Sequence, residues 1–185
     1  MNRSPSVLPD PWRTPPPPLP DPHYPWLTDA GSLTARIAAR SARVSVRVLS
    51  QKRARPHRDE AAALGLRAGE LAWLREVLLI ADGRAVVYAR SVLPARTRRG
   101  NWRLFGTIGT RPLGHALFAD PHVARGSLSA RSLDARDRRY HRALSMAGSP
   151  QPRALWARRS RFVRHGEPLL VCEVFLASIF DLPEP

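Results

Sequence analysis

Apolar and polar residues alternate most clearly between Trp73 and Pro94, where two alternating runs flank the dipeptide Asp82-Gly83. Such alternation places successive side chains on opposite faces of a β-strand. Asp-Gly between two alternating runs is typical of a tight hairpin turn. The pattern therefore predicts an antiparallel hairpin in the middle of the chain.

Weaker patterns predict the elements around this hairpin. Apolar residues of segment 26–37 recur at helical spacing, whereas residues 43–49 alternate as in a strand with one exposed face. Thr110 is a plausible helix N-cap, and Pro112 lies where the first turn tolerates proline. Further predictions are a helical turn at 60–66, a strand at 124–133, a surface loop or short helix at 137–152, and strands at about 155–164 and 168–178 joined at His165-Gly166.

Together these elements predict an α+β fold, a single domain in which helices pack on an antiparallel β-sheet. The domain is expected to span residues 26–182. Ten of the nineteen prolines lie in residues 1–25. Because proline can neither continue a helix nor donate to a sheet, this segment is predicted to be a disordered leader outside the domain.

Two charged residues fall on strand faces that are otherwise apolar. Arg75 lies on one face of the first hairpin strand, and Glu173 lies on one face of the last strand. A guanidinium stays charged in a protein, so a buried arginine needs an anionic partner. Arg75 and Glu173 could neutralise each other, or they could bind a ligand. The pattern alone leaves both interpretations open.

Charge and composition limit the classes of function. The 185-residue chain carries 30 basic and 15 acidic residues, a net charge of +15, and Lys52 is its only lysine. The excess is spread along the chain, and biased coding composition explains the preference for arginine, so nucleic-acid binding is not expected. An RNA- or membrane-associated protein stays an alternative, for which binding should weaken steeply with salt. A weak attraction to anionic membrane surfaces is possible on charge alone.

Metal-binding and export signals are not found. The single cysteine, Cys172, excludes an intrachain disulfide and is expected to be a buried, inert thiol. The histidines lie apart, without carboxylates at the spacing of a metal site. The N terminus has no basic segment followed by an apolar run, as a signal peptide would. A cytoplasmic protein without a metal site is expected.

Six short segments occur in order along the chain. They are LTARI (33–37), WLREVLLIADG (73–83), ARSVLP (89–94), GTRPLG (109–114), WARRSRF (156–162) and GEPLLVCEVFL (166–176). This ordered set resembles the chorismate pyruvate-lyase family of the ubiquinone pathway, over about residues 26–180. Relative to shorter members, the leader and residues 137–152 look like additions.

The resemblance implies a cofactor-free enzyme that converts chorismate to 4-hydroxybenzoate and pyruvate. It implies that Arg75 binds the ring carboxylate and that Glu173 contacts the ring hydroxyl. Main-chain contacts would come from Leu113 and from Leu33, a position that is often methionine in the family. Whether Glu173 acts as an acid, a base or only an anchor stays open. A monomer is expected.

Chorismate has a second carboxylate, on its enolpyruvyl arm, which also needs a cation. Arg90 is a candidate, because pairing across a two-residue turn brings it near Arg75. A structural role for Arg90, as the partner of a buried acid such as Glu76, is an equal alternative. The fold is shared with effector domains of transcription regulators, so the alternative function is a non-catalytic domain that binds small aromatic carboxylates.

Overall fold

A computed structural model describes residues 10–19, 22–97, 100–147 and 152–184. The helices are α1 (His23–Thr28), α2 (Leu33–Ala38), α3 (Arg58–Ala63), α4 (Leu104–Thr107), α5 (Leu113–Ala119), α6 (Arg138–Ala147) and a 3-10 helix (Ala177–Asp181). The strands are β1 (Val44–Ala54), β2 (Ala72–Ala81), β3 (Arg84–Pro94), β4 (Val123–Arg125), β5 (Ser129–Leu133), β6 (Leu155–Arg164) and β7 (Glu167–Phe175).

The strands form one antiparallel sheet with the order β1-β2-β3-β7-β6-β4, and β5 also pairs with β6. Apolar side chains of one sheet face pack with α1, α2 and α5. Those of the opposite face pack with α3 and α6. The predicted α+β class, with helices on an antiparallel sheet, is therefore confirmed.

The central hairpin is confirmed, and its turn has the backbone conformation that Asp-Gly favours. Asp82 and Gly83 have φ values of 47° and 84°, as a two-residue turn between twisted strands requires. The Asp82 carboxylate accepts hydrogen bonds from the N–H groups of Ala42 and Arg43. It thus fixes the turn to the residues that precede β1.

The single helix predicted from residue 26 to residue 37 is wrong, because the chain forms two helices there. Asp29 accepts a hydrogen bond from the Gly31 N–H at 2.7 Å, which closes a short turn between them. Ser32 then caps α2 by accepting from the Ala35 N–H. The apolar spacing predicted the buried face of this segment but could not show the break in its axis.

The helix start predicted at Thr110 is also wrong. Helix α5 begins at Leu113, and its N-cap is Pro112 in extended conformation. A residue that precedes proline is disfavoured in the helical region, so Arg111 cannot belong to the helix. The Leu113 N–H, at the first helical position, makes no hydrogen bond with any residue that the structure describes.

Two strands differ in extent from their predictions. β1 continues to Ala54 because its second half pairs with the start of β2. The strand predicted at 124–133 is two strands, β4 and β5, which both pair with β6. The chain leaves the sheet at Gly126, where a Cβ atom would come within 3.2 Å of the Arg161 carbonyl oxygen. Glycine permits this close backbone approach.

The segment 137–152 contains α6, in agreement with the short-helix alternative, and residues 148–151 lie outside the described residues. Part of the predicted leader packs on the domain, contrary to expectation. Trp12 is buried, and its Nε1 donates to Asp59 at 2.7 Å. Arg13 pairs with Ala130 of β5 through two backbone hydrogen bonds. The domain boundary at residue 25 stays a prediction.

A network of buried ion pairs lies on the sheet face that α3 and α6 cover. Arg90 contacts Glu60 at 2.8 Å and also Glu76. Arg139 contacts Asp137 at 2.7 Å and Asp59 at 2.8 Å. Each of these two guanidinium groups therefore has at least two carboxylates beside it, which offsets the cost of burying its charge. Cys172 is buried on this face too, and burial raises its pKa to about 12, as expected of an inert thiol.

This network makes stability sensitive to acid. Burial alone would raise the pKa of Asp137, but the hydrogen bonds and charge of Arg139 outweigh burial and lower it below its usual value. A carboxyl group with a lowered folded-state pKa stabilises the protein above its unfolded pKa, and this contribution is lost as pH falls. We expect Asp137→Asn to lower the free energy of unfolding at pH 7 by about 2 kcal/mol.

Urea denaturation from pH 7 to pH 3 would measure this effect. The difference between Asp137→Asn and the native protein should shrink below pH 4 or so, where Asp137 takes up its proton in the unfolded chain. Glu184→Gln, at an exposed side chain, should leave the curve unchanged. A difference that stayed constant with pH would contradict the ionic explanation.

Candidate active site

A cavity lies on the sheet face opposite the ion-pair network, between the sheet and helices α2 and α5. Strands β2, β3, β7 and β6 form its floor, and residues from the starts of α2 and α5 cover it. The wall is largely apolar and includes Val77, Leu117 and Phe162. Among the described residues, four charged side chains line it, namely Arg75, Arg125, Arg158 and Glu173.

Arg75 lies in the floor of the cavity with 2% of its surface exposed. Its Nη1 donates to Gln51 Oε1 at 3.0 Å, and its Nη2 lies 3.5 Å from the Arg111 carbonyl oxygen. No carboxylate in the described part of the chain forms an ion pair with it. Burial lowers the pKa of Arg75 below its usual value. A desolvated, unneutralised guanidinium is well suited to bind a carboxylate of a ligand.

Glu173 does not neutralise Arg75, so the first of the two interpretations that the sequence left open is wrong, and a role for both residues in ligand binding stays a prediction. Its Oε2 lies 2.6 Å from Nε of Arg158, the residue opposite it on β6. Arg158 is 1% exposed, and its Nη1 donates to the carbonyl oxygens of Trp26 and Asp29, both at 2.8 Å. The carboxylate of Glu173 is thereby held in one orientation beside a cation, rather than within a purely apolar wall.

The strand register places Arg75 and Glu173 toward opposite ends of the cavity. Arg75 is opposite Ser91 on β3, which is opposite Val171 on β7, two residues before Glu173. Two strand spacings and two residues along β7 separate the Cα atoms of Arg75 and Glu173 by about 12 Å. A ring with polar groups at its two ends can therefore contact both side chains.

Arg125 lies at the edge of the cavity, and the sequence patterns did not single it out. Its Nε donates to Ser160 Oγ at 2.9 Å, and its Nη1 donates to the Ala30 carbonyl oxygen at 2.6 Å. The guanidinium lies over the rings of Phe118 and Phe162, at 5.4 and 5.5 Å from their centroids. Burial is the main cause that lowers its pKa.

Leu33 and Leu113 both line the cavity, as expected of the two positions proposed for main-chain contacts. Each is the first residue of its helix. The first N–H groups of a helix have no partner within the helix, so they are available to a ligand oxygen. The two side chains are 3% and 9% exposed and help to close the cavity.

Arg90 does not line the cavity, so its proposed place beside Arg75 is wrong. A regular hairpin from Asp82-Gly83 would put Arg90 opposite Arg75 on the same face. A bulge at Val86 of β3, opposite Leu79 and Ile80 of β2, shifts the register by one residue, so Arg90 is opposite Glu76 instead. A shift of one residue moves a side chain to the other face. The alternative role, as partner of a buried acid, is the one observed.

Comparison with known proteins shows the family. A model of the chorismate lyase family matches residues 17–183. The chain belongs to the chorismate lyase family. A "Probable chorismate pyruvate-lyase" of Aromatoleum aromaticum is 60% identical over 173 residues, covering 92% of this chain and 93% of that protein. A second family member so named, from Azoarcus sp., is 57% identical over 164 residues, covering 86% of each chain.

Solved structures share the family's fold at low sequence identity. The C-terminal domain of the histidine utilization repressor from Pseudomonas syringae pv. tomato has a TM-score of 0.54 at 14% identity, covering 77% of this chain and 98% of that domain. The effector domain of PhnF from Mycobacterium smegmatis has a TM-score of 0.53 at 14% identity, covering 80% of this chain and 90% of that domain. These similarities support the α+β fold and say nothing about the ligand.

The described residues hold neither a cluster suited to a metal ion nor a helix that could cross a membrane. They contain no group of three or more histidine, cysteine, aspartate or glutamate side chains arranged to hold a metal ion. In the same part of the chain, every helix is too short or too polar to cross a membrane.

Proposed function

We propose that this chain converts chorismate to 4-hydroxybenzoate and pyruvate, as the lyase that supplies 4-hydroxybenzoate for ubiquinone biosynthesis. The charge of the cavity is the observation that carries the proposal. Three arginines and one glutamate line it, which leaves two positive charges for the two carboxylates of chorismate. Membership of the chorismate lyase family supports the same substrate.

Arg75 binds the ring carboxylate in this proposal. Its planar guanidinium can donate two parallel hydrogen bonds, which fix both the position and the orientation of a carboxylate. Glu173, toward the other end, contacts the ring hydroxyl, and the N–H groups of Leu33 and Leu113 supply main-chain contacts. These contacts hold the substrate in one orientation within a cavity that largely excludes water.

The chemistry needs few additional groups, because chorismate becomes aromatic when it loses its enolpyruvyl arm. The bond between the ring and the ether oxygen breaks, a ring proton leaves, and the departing enolpyruvate takes up a proton to become pyruvate. Glu173 is the titratable side chain of the cavity that can accept or donate such a proton. Arg158 positions its carboxylate. No cofactor is required in this scheme.

Incubation of the purified protein with chorismate tests the proposal, with pyruvate and 4-hydroxybenzoate followed together. We expect the two products in equal amounts, and the same rate after treatment with a chelator. If no turnover occurred and the protein still bound 4-hydroxybenzoate, the chain would be a binding domain, as the fold shared with effector domains would allow. No turnover and no binding would refute both.

We also propose that the protein acts as a cytoplasmic monomer, since the side chains that one chain supplies to the cavity already match the charge of the substrate's two carboxylates. The net charge of +15 supports a weak attraction to anionic membranes. Flotation with anionic liposomes at low and high salt would test that attraction. Protein that stayed at the bottom of both gradients would disprove it.

A further inference from the structure

We infer that Arg125 is the second carboxylate-binding residue of the cavity and holds the enolpyruvyl carboxylate of the substrate while Arg75 holds the ring carboxylate. This inference rests on the proposed lyase function and names a contact that the sequence could not assign. Two cations other than Arg75 line the cavity, Arg125 and Arg158. The choice between them follows from their contacts.

Arg158 is already neutralised. Its Nε is paired with Glu173 at 2.6 Å, and its Nη1 donates to two carbonyl oxygens. A substrate carboxylate would have to compete with a protein carboxylate for the same guanidinium. Arg158 is therefore a positioning residue for Glu173, and its charge is not free for the substrate.

Arg125 contacts only neutral oxygens in the part of the chain that the structure describes. These are Ser160 Oγ and the carbonyl oxygens of Ala30 and Gly31. The contacts use Nε and Nη1, which leaves the two N–H bonds of Nη2 without a partner among the described residues. The guanidinium also lies over the rings of Phe118 and Phe162, and these cation–π contacts favour one position for it. This guanidinium therefore has no anionic partner among the described residues, and a carboxylate of the substrate can supply one.

The sheet register supports this pairing of charges. Arg75, Ser91, Val171 and Ser160 form one row of neighbours across four strands, and Arg125 is hydrogen-bonded to Ser160 at the far end. Three strand spacings separate the Cα atoms of the two ends of this row by about 14 Å. The two guanidinium groups thus approach the cavity from opposite sides, with space for a dicarboxylate between them.

The direction also fits the substrate. The enolpyruvyl arm is attached to the ring carbon next to the one that bears the hydroxyl group. The arm is therefore attached nearer to the ring hydroxyl, which Glu173 contacts in this proposal, than to the ring carboxylate at Arg75. Arg125 is on that side, on the far side of β7 from Arg75. Arg90, the alternative drawn from the sequence, lies on the opposite face of the sheet.

Arg125→Gln separates this role from a merely structural one, because 4-hydroxybenzoate lacks the enolpyruvyl carboxylate. We expect kcat/KM for chorismate to fall about 10- to 100-fold, as for the loss of a charged hydrogen bond. The Kd of 4-hydroxybenzoate should change by less than about threefold, since a monoanion bound at Arg75 keeps its main contacts. Steady-state kinetics and calorimetric titration would measure the two quantities.

Arg36→Gln is the matched control. Arg36 holds the same α1–α2 loop, through the Pro25 carbonyl oxygen and Asp29, both at 3.0 Å, but it does not line the cavity. Loosening of this loop should affect chorismate and 4-hydroxybenzoate alike. If Arg125→Gln weakened both ligands in parallel, as a loop contact would, the inference would be wrong. Unchanged kinetics of Arg125→Gln would also refute the inference. An inactive native protein would instead refute the lyase function.

Discussion

Replacing Arg75 with methionine is expected to lower kcat/KM for chorismate by about 30-fold to several thousand-fold, and to weaken binding of 4-hydroxybenzoate by a similar factor. Removing one partner of a buried, hydrogen-bonded charge pair costs about 2 to 5 kcal/mol, and each 1.36 kcal/mol or so is tenfold. Both ligands carry the ring carboxylate, so both should be affected. Steady-state kinetics and titration with 4-hydroxybenzoate would measure the change.

The same substitution should stabilise the protein without ligand. Arg75 is a charged side chain with 2% exposure and no ion pair among the described residues. Burial of an unpaired charge is unfavourable, and methionine has a similar length without the charge. We expect Arg75→Met to raise the free energy of unfolding by about 1 kcal/mol, measured in urea without ligand. The gain in stability is limited because the substitution removes the hydrogen bond that Arg75 Nη1 donates to Gln51 Oε1.

Opposite effects on stability and activity would mark Arg75 as a binding residue rather than a structural one. Arg75→Lys provides the control, because it keeps the charge but loses the two parallel donors. It should retain more activity than Arg75→Met and gain no stability. If Arg75→Met lost stability and activity together, Arg75 would be a structural residue and the ring carboxylate would have to bind elsewhere.

Arg75 and Glu173 could be predicted because alternation within a single strand needs no knowledge of the rest of the fold. Arg125 and Arg158 could not, although Arg158 lies within one of the six recognised segments. Their place in the cavity depends on which strands become neighbours, and the sheet order brings β6 beside β7 and β4 beside β6. The alternation of apolar and polar residues within one strand does not show which strands will be its neighbours.

The hairpin illustrates a second limit. Turn residues predict the register of a two-residue hairpin, and a regular register would have put Arg90 in the cavity with Arg75. The bulge in β3 removes Arg90 to the other face, where it meets Glu60 and Glu76. Nothing in the local alternation signals that bulge. On that face two carboxylates neutralise Arg90, so the shifted register does not leave its buried charge unpaired.

Glu173→Gln is expected to lower kcat by about a hundredfold to ten-thousandfold, the range for loss of a general acid or base. Glutamine keeps a carbonyl oxygen that can accept from Nε of Arg158, so the side chain should stay in place. The substitution also removes the one negative charge that the described residues contribute to the cavity lining. Affinity for the chorismate dianion should therefore not fall, and the loss should appear in kcat with KM unchanged or lower.

This split between kcat and KM distinguishes proton transfer from anchoring. If Glu173 only held the ring hydroxyl, glutamine would replace it with a hydrogen bond of its own, and kcat would stay within about tenfold of the native value. Glu167→Gln is the control on the same strand, since Glu167 lies outside the cavity and accepts from the Asn101 N–H. It should leave kcat unchanged. A kcat for Glu173→Gln close to that of this control would assign the proton transfers to water or to the substrate itself.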